Sequence, residues 1–188
     1  MRTLLLTACA VSSILAGATP AIAADVSTPA ARMQEAGARL KALYEAETDA
    51  SMARYGIVKR ADGEYSPAVR HESVDPASQQ GRLTYVRGLL RQLDAIPLDD
   101  LSDEDRINAA VFRTNLEHAL IDGQARQWEM PFNSDSSFWT YLDQSRSLRT
   151  AEDYSAFISR MRDIPRYFDQ QKANMRDGLA RGFSVPRV

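Results

Sequence analysis

The chain has 188 residues, 23 lysines and arginines against 25 aspartates and glutamates, a formal net charge of −2 and a single cysteine. A near-neutral chain with both signs mixed throughout offers no basic stripe for nucleic acid and no Lys/Arg-rich amphipathic segment for a membrane surface. One cysteine excludes an internal disulfide and a cysteine metal cluster, so stability must come from a packed core.

The N-terminus has the form of a secretory signal. Arg2 precedes an apolar run from Leu4 to Ala18, Pro20 breaks it, and Ala21-Ile22-Ala23 is an A-x-A cleavage site. The run is shorter than the roughly 20 apolar residues of a membrane span, and Thr7, Ser12, Ser13 and Gly17 interrupt it. The expectation is cleavage after Ala23 and export to the periplasm or beyond. Leu6-Thr7-Ala8-Cys9 resembles a lipoprotein box, but too few apolar residues precede Cys9 for insertion, which disfavours lipidation. Cleavage removes Cys9 and Arg2, so the remaining residues 24–188 carry a net charge of −3 and no thiol.

In chain order, Thr28-Pro29 is an N-cap followed by proline and opens a helix running to about Arg54, with Met33, Leu40, Leu43 and Tyr44 on one face and Gly56 as its end. Periodicity disappears from Gly56 to Ser73, a loop of unusual length with turns at Asp62-Gly63 and Ser66-Pro67. Asp75-Pro76 repeats the cap and starts a second helix, whose Leu83, Val86, Leu90 and Leu93 form a stripe and which Pro97 stops. Ser102 caps a third, with Asp103, Glu104 and Asp105 against the positive end of its dipole. This helix has two apolar stripes, Ile107, Val111, His118 and Ile121 on one side and Phe112, Leu116 and Leu120 on another. That pattern predicts a helix sandwiched between others, ending at Gly123.

Next comes the one long break, from Trp128 to Leu142. It holds both tryptophans, Phe132, Phe138 and Tyr141 around the polar run Asn133-Ser134-Asp135-Ser136-Ser137. Thr150-Ala-Glu-Asp153 then caps a helix expected to bury Tyr154, Phe157, Ile158 and Met161, Pro165 breaks it, and a fifth helix carries Phe168, Gln171, Met175 and Leu179 to Gly182. No run alternates with the period of a strand. The expected fold is all-α, a bundle of about five amphipathic helices with a long aromatic and polar loop.

No catalytic motif is complete. Of the two histidines, His118 has Asp122 one turn on but lies on an apolar stripe, which favours a core histidine over a metal ligand; His71 falls in the long loop. The acidic run Asp99 to Asp105 lacks the glycine and terminal glutamate of a calcium loop. There is no G-x-S-x-G, S-x-x-K or glycine-rich phosphate loop, and Arg160, Arg162, Arg166 and Arg176 read as a solvated face paired with Asp163, Asp169 and Asp177. No residue is assigned a catalytic or metal-binding role. The substrate-binding candidates are Trp128, Asn133, Asp135 and Trp139 in the aromatic loop.

The order Leu93-Asp-Ala-Ile-Pro97, Leu101-Ser-Asp-Glu-Asp-Arg-Ile-Asn108, Trp128-Glu-Met-Pro131, Tyr154, Phe157, Ile164-Pro165 and Met175-Arg-Asp-Gly-Leu-Ala-Arg-Gly182 with Pro186-Arg187 resembles the opening of the bacterial family called domain of unknown function 885. The likeness extends over essentially all of residues 24–188. It implies a longer, largely helical, exported protein related to zinc metallopeptidases, with an H-E-x-x-H-type helix far downstream. No zinc ligand or catalytic glutamate is thereby implied at any position here. On this reading residues 24–188 are the N-terminal helical region of a truncated member, with zinc confined to the missing part, that part as its partner and a peptide as substrate. Helix faces meant for it are expected to stay exposed as apolar patches. The alternative is a non-enzymatic secreted module that binds a peptide or protein through the aromatic loop.

Overall fold

The computed structural model describes residues 28–132, 137–141 and 148–184. Among them are five α-helices, α1 (Pro29–Arg54), α2 (Pro76–Asp94), α3 (Asp103–Gln124), α4 (Ala151–Arg162) and α5 (Ile164–Ala180), three short 3-10 turns, and one antiparallel hairpin, β1 (Ile57–Lys59) with β2 (Tyr65–Pro67). Only Asp163 separates α4 from α5, so counted as rods there are four. The fold is predominantly α-helical, and no helix among the described residues is long and apolar enough to cross a membrane.

Local chemistry sets the helix starts. Thr28, Asp75, Ser102 and Thr150 each accept a hydrogen bond from a backbone N–H of the first turn, and Thr150 with Asp153 forms a reciprocal capping box. Pro29 and Pro76 occupy first-turn positions, where the missing N–H has no partner to lose. Pro165 falls in the first turn of α5, so the predicted break is a clean end and restart.

Ala36, Leu40 and Leu43 of α1, Val86, Leu89 and Leu93 of α2, Ala109 and Leu116 of α3, and Ile96 and Leu101 of the α2–α3 connection form one buried cluster. Tyr44 meets Phe112 edge to face at 4.9 Å between centroids. The apolar core is thus a three-helix unit. Gly123, expected to end α3, lies inside the helix instead, where a side chain would overlap Leu83. The left-handed residue that follows α3 is Arg126, at φ 57°.

The second half is attached by other means. Four polar side chains on one face of the α4–α5 junction and α5, Asp163, Arg166, Gln170 and Asn174, bond the connecting segment 71–75. Asp163 accepts from the His71 N–H at 2.9 Å, Arg166 donates to the His71 carbonyl at 2.7 Å, Gln170 accepts from the Val74 N–H at 3.0 Å, and Asn174 donates to the Val74 carbonyl at 2.7 Å. Side chains thereby satisfy backbone groups that no sheet or helix pairs. Gln170 also donates to Ser73 and to Asp75, the cap of α2. Farther along α5, Gly178 lets the buried Glu129 approach, and Glu129 pairs with Arg126 and Arg181.

Several expectations change. The loop 56–73 contains a hairpin, whose three-residue strands are too short to show alternation; Asp62-Gly63 is its turn, but Pro67 ends β2 rather than making a second turn. The stripe of Ile107, Val111 and Ile121 is 67, 57 and 60 % exposed and His118 is exposed with it, so α3 is covered on one side only and His118 is not a core histidine. On α4 the buried residue is Arg160, while Tyr154, Ile158 and Met161 face out. Arg160 therefore leaves the solvated arginine face assigned to it, and Arg166 is drawn into the junction.

Candidate functional site

The segment 70–75 crosses the α4–α5 junction and places His71 under α4. His71 is 7 % exposed and is fixed at both ends of its peptide group by Asp163 and Arg166. Its Nδ1 accepts from Arg160 Nε at 3.3 Å, and its ring lies 5.1 Å from that of Tyr167. Arg160, 3 % exposed, packs against Gly56, whose φ of 75° and missing side chain make the approach possible.

Asp163 receives both nitrogens of the Arg166 fork, at 2.8 and 2.6 Å, with Arg70 at 3.4 Å. The Arg166 bond holds the Asp163 carboxyl well below the usual carboxylate range, against the upward push of its burial and with help from the His71 N–H. His71 moves down to about 4, through burial first and the neighbouring Arg160 charge second, with Asp163 opposing. The imidazole is therefore neutral at neutral pH. Since Nδ1 accepts from Arg160, its proton sits on Nε2, which is buried with no partner among the described residues.

His71 and Arg160 line a cavity of about 110 Å³ together with Arg54, Tyr55, Glu72, Phe138 and Tyr167. Phe138 closes one side, 4.9 Å from Phe168 and 6.0 Å from Tyr167 between centroids. Arg54 is paired with Glu47 at 2.7 Å. Crowding on the loop surface raises the Glu72 carboxyl by desolvation, with Arg54 and Arg82 pulling it back.

A histidine depressed from 6.5 to about 4 binds fewer protons folded than unfolded, so its contribution is complete above pH 6.5 and is lost as pH falls toward 4. The loss is up to about 3 kcal/mol. Thermal melts between pH 7 and 4 should show this decline in the wild type and a shallower one in His71→Gln; equal slopes would contradict the assignment.

The residues selected from sequence are dispersed. Trp128 is half-buried and lines a groove of about 420 Å³ between α2 and α3, with His118, Asp122, Asn115 and Arg82. Trp139, 52 % exposed, belongs to a different group, with Phe138 at 4.9 Å and Phe132 at 6.4 Å between centroids. Asn133 and Asp135 lie outside the described residues. The His71–Arg160 pair was missed because 89 residues separate its members. The polar stripe at Asp163, Arg166, Gln170 and Asn174 has the helical spacing of an ordinary solvent face, so the sequence carries no local signal that it grips another segment.

Among the described residues no group of three or more His, Asp, Glu or Cys is placed to hold a metal. His71 Nδ1 is taken by a cationic donor, and His118 has only Asp122 beside it in the groove. These residues do not fit a zinc ion.

Fold and site together define a predominantly helical protein built on a three-helix core, with a buried polar junction rather than a recognisable catalytic constellation. A family model described as bacterial protein of unknown function (DUF885) matches residues 53–188, and the chain belongs to that family. The match starts at the end of α1, short of the full extent over which the resemblance was read. Neither a curated protein nor a solved structure matches the chain.

Proposed function

We propose that residues 24–188 are the helical, substrate-shaping part of an exported peptidase-like protein, with the zinc-binding H-E-x-x-H supplied by sequence beyond Val188. The observation that carries this reading is the pair of bare apolar stripes at helical spacing, Ile107, Val111 and Ile121 on α3 and Tyr154, Ile158 and Met161 on α4. Apolar rows of this kind mark surfaces built to be covered. In this reading zinc and the catalytic glutamate belong to the continuation, a peptide is the substrate, and the present residues bind without cleaving.

Two measurements test it. The reading frame past the codon for Val188 should continue into an H-E-x-x-H motif; a stop codon there sinks the proposal. Purified residues 24–188 should self-associate or bind an apolar dye, and a monomer with a sharp melt and no dye binding would contradict the covered-face argument. A second reading, a non-enzymatic module that holds a peptide or protein through the aromatic loop, is favoured by the exposure of Trp139 beside Phe132 and Phe138. A stop codon together with loss of partner binding in Trp139→Ala would select it.

A further inference from the structure

Among the described residues Arg160 is a buried cation without a counter-charge. It is 3 % exposed, its one polar partner among the described residues is the neutral His71 ring, and no carboxylate there lies within ion-pair distance. Buried charges in folded proteins are paired or bind something charged, because desolvation without compensation is costly. A second uncompensated group sits beside it. With Nδ1 accepting from Arg160, the neutral His71 ring carries its proton on Nε2, which is shielded from solvent and has no hydrogen-bond partner among the described residues. Both side chains line the same cavity of about 110 Å³.

The chemistry of the missing acceptor follows from the surrounding charges. Arg166 is neutralised by Asp163 at 2.6 Å and Arg54 by Glu47 at 2.7 Å. Glu72, on the wall of the same cavity, is drawn down by Arg54 and Arg82. Arg54, Arg82 and Arg160 against Glu47 and Glu72 leave one positive charge, so the cavity is matched to a single negative charge. A phosphate, which carries about −1.5 to −2 near neutral pH, would bring excess charge next to Glu72. A carboxylate brings one charge and two oxygens, one for the guanidinium and one for the Nε2 proton. The Phe138 and Tyr167 rings beside it suit a short apolar body.

We propose that the cavity between His71 and Arg160 binds a monocarboxylate, either a small free acid or the C-terminal carboxylate of a peptide. The site lies wholly within the chain, and the proposal does not rest on the peptidase-like reading.

The test uses the intact chain. Acetate, propionate, an N-acetylated dipeptide acid, the matching dipeptide amide and inorganic phosphate are titrated while the His71 side-chain nitrogen signals and the melting temperature are followed. At least one carboxylate should bind with Kd on the order of 1 mM, shift the Nε2 signal and raise the melting temperature, with the amide and phosphate at least tenfold weaker. Binding by acetate and propionate alone identifies a free acid; tighter binding of the dipeptide acid identifies a peptide terminus. Arg160→Gln should lose at least tenfold in affinity. His71→Phe, which keeps the backbone bonds of residue 71, should also weaken binding and serves if Arg160→Gln does not fold. The proposal is overturned if no carboxylate binds the wild type at about 50 mM, if phosphate binds better than all of them, or if both folded variants bind as the wild type does.

Discussion

Asp163→Asn is expected to destabilise the protein by about 3–5 kcal/mol, the range for removing one partner of a buried ion pair. The carboxylate ties the connecting segment to the start of α5, accepting from the His71 N–H and from both nitrogens of the Arg166 fork while its side chain is 6 % exposed. Asparagine can keep the backbone bond but not the fork, and it leaves the guanidinium facing a neutral group. In a domain of this size the melting temperature should fall by about 10 °C or more. The acid limb changes too. A carboxyl depressed in the folded state contributes fully above its unfolded value of about 3.9 and loses that contribution as pH falls through the folded one. The wild type should therefore keep losing stability below pH 4, and Asp163→Asn should lose less there. A fall under about 2 °C at pH 7 would mean that the fork carries little.

Leu40→Ala should cost about 2–5 kcal/mol, because Leu40 is fully enclosed where α1 meets α2 and α3 and truncation leaves a cavity with no side chain able to refill it. The matched control is Ile107→Ala on the bare stripe of α3. At 67 % exposure it removes little burial and should change stability by no more than about 0.5 kcal/mol. Denaturant melts of the two variants decide the point. Equal losses would mean that the α3 stripe is covered in solution, for instance by a second copy of the chain.

Sequence legibility divides along the range of the interactions. The four N-caps at Thr28, Asp75, Ser102 and Thr150 could be read because a cap is made within three residues of itself. The α2 stripe was legible: Leu83, Val86 and Leu93 are buried and Leu90 packs half-buried against the core, while Leu89, about 100° round the helix from it, is buried in addition. What could not be read was which apolar stripe meets a partner. Ile107 and Leu116 carry the same local signal, and only the placement of α1 and α2 covers one and leaves the other bare. Gly123 misled for a similar reason: glycine marks a helix end and also a close approach, and the neighbour that decides is Leu83, 40 residues earlier. The candidate site was hidden most completely. A histidine in a loop and an arginine on a helix become a pair only through Asp163 and Arg166, and the aromatic loop that drew attention supplies Phe138 to the cavity rather than the polar residues expected to bind.

The row of Asp163, Arg166, Gln170 and Asn174 grips mainly the peptide groups of residues 71 and 74, and Gln170 alone of the four also reaches side chains of the segment, those of Ser73 and Asp75. At Glu72 and Val74 such a grip is indifferent to the side chain present. Substitutions at Glu72 and Val74 should pass with little effect on folding, whereas the four gripping positions tolerate almost none, since each must present a donor or an acceptor at a fixed height on the helix. Mutational drift would therefore erase the segment's own signature first and leave its location written on another element, about 90 to 100 residues away.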